Sequence, residues 1–406
     1  MKSLFRFCSY FLALACLLSS CSKNDIPKNE QEEEEVADMT VLVYMSADNS
    51  LISFSKMDLN EMLDGINSID TGKNHLLVYY DGYGTPRLFE VTIVDGQPGY
   101  KIYKTYNTFI NSCSYESMSQ IFQDSFLSEQ FKAKNYALVM WSHGEGWIPY
   151  PQPSQSATTR WIGSDETNLE GVDRMNIHDF CRALSLIPHL NYVLFEACYM
   201  GSVEVAYEMR KYTDYVVACP TEIPGLGAPY DKILPYLFEV GAEEKIALAY
   251  YSHYESMYDE KVENSDVKWT GGVSIAVIKS DELEALAVAT GQTFSSGTID
   301  PSTLVNKVFN YDKRSDSRYI GYYDISSLME ATAKSNEALE SWKNVYARAL
   351  PLFKTTPMNY ADGRMFSMRG ATGLSHYIPR YLSSQAAAAY RSFEWYKAAG
   401  LENLGW

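Results

Sequence analysis

The sequence lacks the short motifs that mark several common hydrolase classes. It has no GxSxG turn of the kind that carries a catalytic serine, and no HExxH pair that would bind a zinc ion. Its seven cysteines form no CxxC pair and no regular framework, so neither a thiolate metal site nor a disulfide scaffold is predicted. These cysteines occupy positions 8, 16, 21, 113, 181, 198 and 219. A serine hydrolase and a zinc peptidase are therefore set aside.

Positive charge is also scarce. The 406 residues include 34 Lys and Arg against 51 Asp and Glu, which gives a net charge of −17. This balance argues against nucleic acid or an anionic membrane surface as a partner, and it is compatible with cationic substrates or basic peptides. Hydrophobic residues make up 46% of the chain and aromatic residues 14%, which predicts a folded protein with a substantial core.

The longest apolar run of the sequence lies at the N terminus, and it is too short for an ordinary membrane-spanning helix. Lys2 and Arg6 stand at the start of that run, which ends in small residues before Cys21. The pattern resembles a bacterial lipoprotein signal, with residues 1–20 removed and Cys21 lipidated. We therefore expect an exported protein whose lipid anchors it to the bacterial outer membrane or cell surface; a plain secretory signal is the alternative. Residues 21–38 are mostly charged and predict an acidic, flexible tether.

Beyond the tether, short apolar runs alternate with helical patterns. The runs are continuous, as expected of central strands that are covered on both faces. They lie at Val41–Met45, Leu76–Tyr80, Tyr136–Trp141, Tyr192–Phe195, Tyr215–Ala218 and Val273–Ile278. The alternation predicts an α/β sandwich with a mostly parallel sheet over residues 39–285. Residues 286–406 are predicted to be mainly helical, with one late strand near 373–379.

Two of the predicted strands end in residues that carry chemistry. His143 and Gly144 follow one strand, and Cys198 follows another. In an open α/β sheet, ligands bind beyond the carboxyl ends of the strands, so the fold can bring a thiol and its base together there. The glycine lets a backbone N–H approach an oxyanion. A helix predicted directly after Cys198 would favour its thiolate. A buried cysteine and a turn histidine with purely structural roles are the alternative.

Four segments in this order resemble the clostripain family of cysteine peptidases: VLVYMSADNSL, LVMWSHGEGW, FEACYMGSVEVAYEM and GLSHYIP. The resemblance implies a caspase-like three-layer α/β/α sandwich. It also implies that Cys198 is the nucleophile, that His143 is the general base and acid, and that Gly144 and the Cys198 backbone form the oxyanion hole. The implied activity is cleavage of a protein or peptide after Arg or Lys through a thioester.

The family cleaves after basic residues with an acidic pocket, and two carboxylates are candidates for it. The family motif usually reads Asp-Ala-Cys, whereas here Glu196 stands two residues before Cys198. Residues two apart project to the same side of a strand, so Glu196 is expected to flank the nucleophile. Glu222, at the end of the next strand, is the second candidate; a solvent-exposed loop carboxylate is its alternative.

Three further expectations complete the interpretation. Some relatives cut themselves between the two catalytic strands, where Arg160 is the candidate for self-cleavage. No metal site and no organic cofactor are predicted; calcium is compatible with the many carboxylates, but no ligand loop stands out. The rival hypothesis is a surface lipoprotein that keeps the peptidase fold as a binding module, which the change from Asp to Glu at position 196 keeps open.

Overall fold

The structure is a computed structural model that describes residues 36–147, 162–166, 172–259, 272–295, 297–315 and 319–406. The predictions for the signal segment, Cys21, most of the tether and Arg160 lie outside the described residues. The described strands are β1 (Ala37–Ser46), β2 (Asn74–Asp81), β3 (Arg87–Val94), β4 (Gln97–Thr105), β5 (Ala133–Trp141), β6 (Ile162–Asp165), β7 (Asp173–Met175), β8 (Leu190–Glu196), β9 (Thr213–Ala218), β10 (Ser274–Lys279), β11 (Tyr322–Asp324), β12 (Leu352–Thr355), β13 (Met358–Ala361), β14 (Arg364–Ser367) and β15 (Ser375–Tyr377). The described α-helices are α1 (Ile52–Gly65), α2 (Tyr115–Phe126), α3 (Ile177–Leu184), α4 (Val203–Met209), α5 (Tyr230–Leu237), α6 (Glu243–Ser256), α7 (Leu283–Thr293), α8 (Ile325–Thr332), α9 (Asn336–Ala349), α10 (Gln385–Tyr390) and α11 (Glu394–Ala398).

A nine-stranded sheet lies at the centre of residues 36–406, in the order β12-β10-β9-β8-β5-β1-β2-β3-β4. Its central strands β9, β8, β5, β1 and β2 run parallel to one another. The strands at the two edges are antiparallel. Because parallel strands end at the same edge of a sheet, the loops after β1, β5, β8 and β9 meet in one place.

Both faces of this sheet are buried. Along β1, Leu42 and Tyr44 belong to one apolar cluster, with residues of α2, α3 and α4. Val41 and Val43 point the other way, into a cluster with residues of α1, α5 and α6. Alternate side chains of one strand thus enter two cores, which explains why the strands read as continuous apolar runs. The predicted three-layer α/β/α fold is confirmed.

The C-terminal part of the chain contributes strands as well as helices. β12 forms one edge of the central sheet, and the predicted strand near 373–379 appears as β15, which pairs with β11 in a sheet of its own. The Ser375 amide donates a hydrogen bond to the Gly201 carbonyl over 3.0 Å, which ties β15 to the loop after β8. Among the described residues, no helix combines the length and the apolarity needed to cross a membrane.

The hairpin of β3 and β4 is absent from the sequence-based strand assignment. Its turn consists of Asp95 and Gly96, with φ angles of 50° and 79°. Two consecutive positive φ angles define the tight turn for which Asp-Gly is a preferred pair. The Asp95-Gly96 dipeptide was therefore the signal that could have revealed this hairpin.

Candidate active site

His143 and Cys198 occupy matching positions beyond two neighbouring strands. In the parallel pairing of β5 with β8, Trp141 is the partner of Glu196. His143 lies two positions after Trp141, and Cys198 lies two positions after Glu196. Equal offsets beyond partnered residues place the two side chains at the same level of the sheet edge, and both line one cavity of about 750 Å³.

Gly144 packs directly on the segment that carries the thiol. A Cβ atom at this position would lie 2.7 Å from the Ala197 Cβ and 3.0 Å from the Cys198 carbonyl oxygen. Contacts this short exclude any side chain, so the close approach of the two loops requires glycine. The Gly163 amide donates to the His143 carbonyl over 3.0 Å, which fixes the backbone on the other side.

The imidazole of His143 is held by the loop after β1. The Ser50 hydroxyl lies 2.8 Å from His143 Nε2, in hydrogen-bond contact. The neighbouring Asn49 is buried, and its amide nitrogen donates to the carbonyls of Ser46 and Ser164 over 2.9 and 2.8 Å. Its side-chain oxygen accepts from the Leu51 amide over 2.9 Å. Asn49 therefore orders the loop that presents Ser50 to the histidine.

Ser50→Ala is expected to lower kcat by about two- to tenfold, the equivalent of one neutral hydrogen bond. The loss follows because the ring of His143 is less firmly oriented without the hydroxyl. KM and the thermal unfolding midpoint should hardly change, since Ser50 is exposed. Steady-state kinetics on a fluorogenic peptide measure the effect. Ser50→Thr, which keeps the hydroxyl, should retain most of the activity, and an equal loss in both variants would contradict the positioning role.

The thiol of Cys198 is protonated at neutral pH. Burial, and next the negative charge of Glu222, raise the pKa of Cys198 to about 12, although the Ile223 amide donates to its sulfur over 3.3 Å. The prediction that the dipole of a following helix favours the Cys198 thiolate is wrong. α4 begins only at Val203, five residues after the cysteine, and it is just 7 residues long. Desolvation outweighs the remaining dipole.

Alkylation of the resting enzyme by iodoacetamide is expected to accelerate continuously as the pH rises, because the thiolate is the reactive form and the pKa of Cys198 is about 12. Glu222→Gln removes a charge that raises this pKa, so it should speed alkylation at a given pH by up to about tenfold, the effect of one unit of pKa. Glu337→Gln, on the outer surface of α9, is the matched control. A rate plateau below about pH 8 would reveal a preformed thiolate instead.

Glu196 is buried beneath the cavity, with an exposed fraction of 3%. Its carboxylate accepts from the Ala228 amide over 2.8 Å and from the Tyr230 hydroxyl over 2.6 Å. Burial raises the pKa of Glu196 to about 8 despite these two hydrogen bonds. The carboxylates of Glu196 and Asp58 both lie against Gly227. Burial, followed by the charge of Glu196, raises the pKa of Asp58 as well. Two desolvated carboxyl groups thus lie beside Gly227, and the one that lines the cavity is that of Glu196.

Glu222 lies in a different part of the cavity wall, close enough to the sulfur to perturb it. One of its carboxylate oxygens accepts from the Tyr199 hydroxyl over 3.4 Å and from the Asp362 amide over 3.3 Å. Tyr199, directly after the thiol, has a φ of 58°, an uncommon conformation for a residue with a side chain. This turn changes the direction of the chain immediately after Cys198.

Several other cysteines and histidines of the chain have structural surroundings. Cys219 is buried. Cys113 has an exposed fraction of only 4%, because its loop folds under the end of β1 and places the sulfur 3.6 Å from the Ser46 hydroxyl. His75 contacts Glu90 over 2.6 Å, and His178 packs on the ring of Phe393.

Several residues at the site were not identified from the sequence. They are Ser50 on the histidine, Asp58 and Tyr230 around Glu196, and Arg314 in the cavity wall. Ser50 lies within the segment VLVYMSADNSL that resembles the family, so its position offered a weak signal for it. Asp58, Tyr230 and Arg314 lie far in sequence from Cys198 or Glu196, and no local pattern marks them.

The three-layer fold and the shared cavity define the class of this protein. A half-buried thiol and an imidazole at register-matched ends of neighbouring parallel strands are typical of a cysteine peptidase with a caspase-like fold. The chain belongs to the clostripain family, whose sequence model matches residues 43–404. It is therefore a cysteine peptidase that acts on a protein or peptide substrate.

Individual relatives agree with this assignment. Clostripain of Hathewaya histolytica is 21% identical over an alignment that covers 95% of this chain and 82% of the relative. The X-ray structure of a secreted C11 cysteine protease from Bacteroides thetaiotaomicron, in complex with an irreversible peptide inhibitor, is 40% identical and superposes with a TM-score of 0.82 over 90% of this chain and 99% of that one. An inactive zymogen C11 protease from Parabacteroides distasonis is 29% identical, with a TM-score of 0.74 over 90% and 98% of the two chains.

Proposed function

We propose that this protein is an endopeptidase that cleaves after Arg or Lys through a Cys198–His143 dyad. The observation that carries the proposal is the single cavity lined by the thiol, the imidazole and the carboxylates of Glu196 and Glu222. A basic side chain that enters the cavity can pair with the ionised carboxylates of Glu196 and Glu222, which favours a cation over a neutral residue. The fixed distance between thiol and carboxylates would set which bond is cut.

The reaction is acyl transfer to the sulfur. Because the resting thiol is protonated, His143 removes its proton as the sulfur attacks the scissile carbonyl carbon. The protonated imidazole then gives this proton to the leaving amine as the C–N bond breaks, and a thioester remains on Cys198. Water, deprotonated by His143, hydrolyses the thioester and releases the new carboxyl terminus together with the free thiol.

The developing oxyanion needs hydrogen-bond donors that are in place before the reaction. The amides of Gly144 and Cys198 are proposed as these donors. Support comes from the packing of Gly144, which lies against the Cys198 backbone with no room for a side chain between the two segments. A larger residue at position 144 would push the loops apart and displace one donor.

Fluorogenic peptides that differ only at the residue before the scissile bond test this proposal. Arg and Lys are expected to give a kcat/KM at least about 100-fold above that of Gln or norleucine, because a buried charge pair forms only with the basic residues. Equal cleavage of the neutral peptides would contradict the basic preference. Cleavage that persists after Cys198→Ala would contradict the dyad.

We also propose that the chain is exported and anchored through a lipid on Cys21. The support is the charged and apolar N-terminal segment, together with the secreted relative from Bacteroides thetaiotaomicron. Cys21→Ala should move the protein from the membrane fraction to the soluble fraction.

Self-cleavage at Arg160 is a further proposal, motivated by the zymogen relative. The mass of the wild-type chain, beside that of Cys198→Ala, tests it, and an uncut but active chain would contradict it.

A further inference from the structure

A buried arginine forms part of the wall of the cavity that holds the thiol. The side chain of Arg314 has an exposed fraction of 0%, and its Nε donates to Asp312 Oδ1 over 2.7 Å. Asp312 is itself fixed, because its other oxygen accepts from the Ile320 and Gly321 amides over 2.6 and 3.2 Å. The guanidinium lies over the ring of Tyr199, 3.9 Å from its centroid. Its position and plane are thus set by contacts on one edge and one face.

The other edge of the guanidinium has no such contacts. Neither Nη1 nor Nη2 of Arg314 donates a hydrogen bond to any residue in the described part of the chain. The nearest carboxylate on this side is Glu145, whose Oε1 lies 3.9 Å from Nη1, beyond hydrogen-bond distance. Buried charged donors without a protein acceptor are costly, and in folded proteins an ordered water, an ion or a ligand supplies the acceptor.

The geometry of this edge indicates the kind of ligand. Two adjacent terminal nitrogens of one guanidinium present parallel N–H groups, and a carboxylate accepts from both at once. One face of the cation is covered by Tyr199, the residue after Cys198, and the terminal N–H groups point in the guanidinium plane, so a carboxylate that accepts from both lies in that plane. A group bound there would lie beside the scissile bond and apart from Glu196, which the residues around Gly227 enclose.

We propose that Arg314 forms a second specificity subsite, which binds the side-chain carboxylate of an acidic substrate residue near the scissile bond. The inference builds on the proposed cleavage site, since it adds an anionic requirement to the basic one. Preferred substrates would then carry a basic residue at the cleaved bond and an Asp or Glu within a few positions of it. Glu145 and Glu222, which line the same cavity, would repel an acidic residue placed elsewhere.

Paired peptides test the subsite. Each pair has the best accepted residue before the scissile bond and differs only by Glu or Gln at one flanking position, from three residues before the bond to two after it. One position is expected to favour Glu by about tenfold or more in kcat/KM, as expected for a bidentate charged hydrogen bond. Arg314→Gln should reduce this ratio to about one, and Arg314→Lys, a cation without the planar fork, should give an intermediate ratio.

Lys313→Gln is the matched control, because it removes one positive charge from the adjacent residue, which does not line the cavity. The Glu preference should persist in this variant. A wild-type ratio near one at every position, or the same ratio in Arg314→Gln, would overturn the subsite. An equal loss on the Glu and Gln peptides would also overturn it, since that pattern indicates bonding of Arg314 to substrate carbonyls.

Two further measurements decide the question where the Arg314 variants do not fold or the basic peptides are not cleaved. If the Arg314 variants fail to fold, as judged by circular dichroism, a structure of the wild-type enzyme with a Glu-bearing peptide inhibitor decides instead. The Glu carboxylate must then lie within hydrogen-bond distance of Nη1 and Nη2, and any other position overturns the proposal. If no peptide with Arg or Lys is cleaved, the proposed basic preference fails, while the Glu to Gln ratio on the peptides that are cleaved still decides the role of Arg314.

Discussion

Cys198→Ala is expected to lower kcat on a peptide substrate by about 10⁴-fold or more, the scale seen when a nucleophile is removed from residues that act as a unit. The sulfur stands at the edge of the sheet, after β8 and between the loops that follow β5 and β9. The free energy of unfolding should change by less than about 1.5 kcal/mol, because the side chain is small and half-buried. Kinetics on a fluorogenic peptide and thermal unfolding of both proteins measure the two quantities.

Cys219→Ala is the matched control for this variant. It makes the same chemical change directly after β9, in a thiol that is buried in the core. Its activity should stay within about threefold of the wild type. His143→Ala should lose nearly as much activity as Cys198→Ala, and the double variant should lose no more, since the two groups act in one step. Substantial turnover by Cys198→Ala would contradict the assignment of the nucleophile.

Glu196→Gln is expected to lower kcat/KM for Arg and Lys substrates by about 10²- to 10³-fold, in the range measured when one partner of a buried charge pair is removed. The amide keeps the shape of the side chain. Its oxygen can still accept from the Ala228 amide, and its NH2 group can donate to the Tyr230 hydroxyl oxygen in place of the present bond, so the pocket should remain folded. Cleavage of a peptide with norleucine before the scissile bond should be almost unchanged. Glu222→Gln, which removes the same charge from another part of the cavity, should cost less.

The pH dependence of kcat/KM gives a second test of Glu196. Burial raises the pKa of Glu196 to about 8, so at neutral pH the free enzyme holds this group largely in its uncharged form. A cationic side chain pairs only with the ionised form, and kcat/KM reports the ionisation of the free enzyme. It should therefore rise with pH through about 8 for basic substrates. An identical rise in Glu196→Gln would show that another group is responsible.

The central sheet was predictable because each strand is buried on both faces and leaves a continuous apolar run. The meeting of His143 and Cys198 at one edge followed from the parallel direction of β5 and β8, which fixes where strand ends lie. The hairpin of β3 and β4 was missed although Asp95-Gly96 marks its turn, since its strands carry a mixed polar pattern rather than an apolar run.

Electrostatic properties of the site could not be read from the sequence. The expectation of a favoured thiolate failed because the pKa of Cys198 depends on burial and on the carboxylate of Glu222, which a different strand delivers. Glu196 was identified as an acidic candidate, yet its contact with Tyr230 and its closeness to Asp58 depend on how α5 and α1 pack. Arg314 reaches the cavity from a loop 116 residues after Cys198 (314 minus 198). Such contacts arise only from the fold.

Covalent trapping with a peptidyl arginine chloromethyl ketone tests the central claim most directly. Under reducing conditions the account predicts one adduct per chain, located by peptide mapping on Cys198. It also predicts that the adduct forms much more slowly with the glutamine analogue and is nearly absent in His143→Ala. The absence of an adduct on Cys198, or an adduct on Cys113, Cys181 or Cys219 instead, would contradict the account and favour a binding role for this fold.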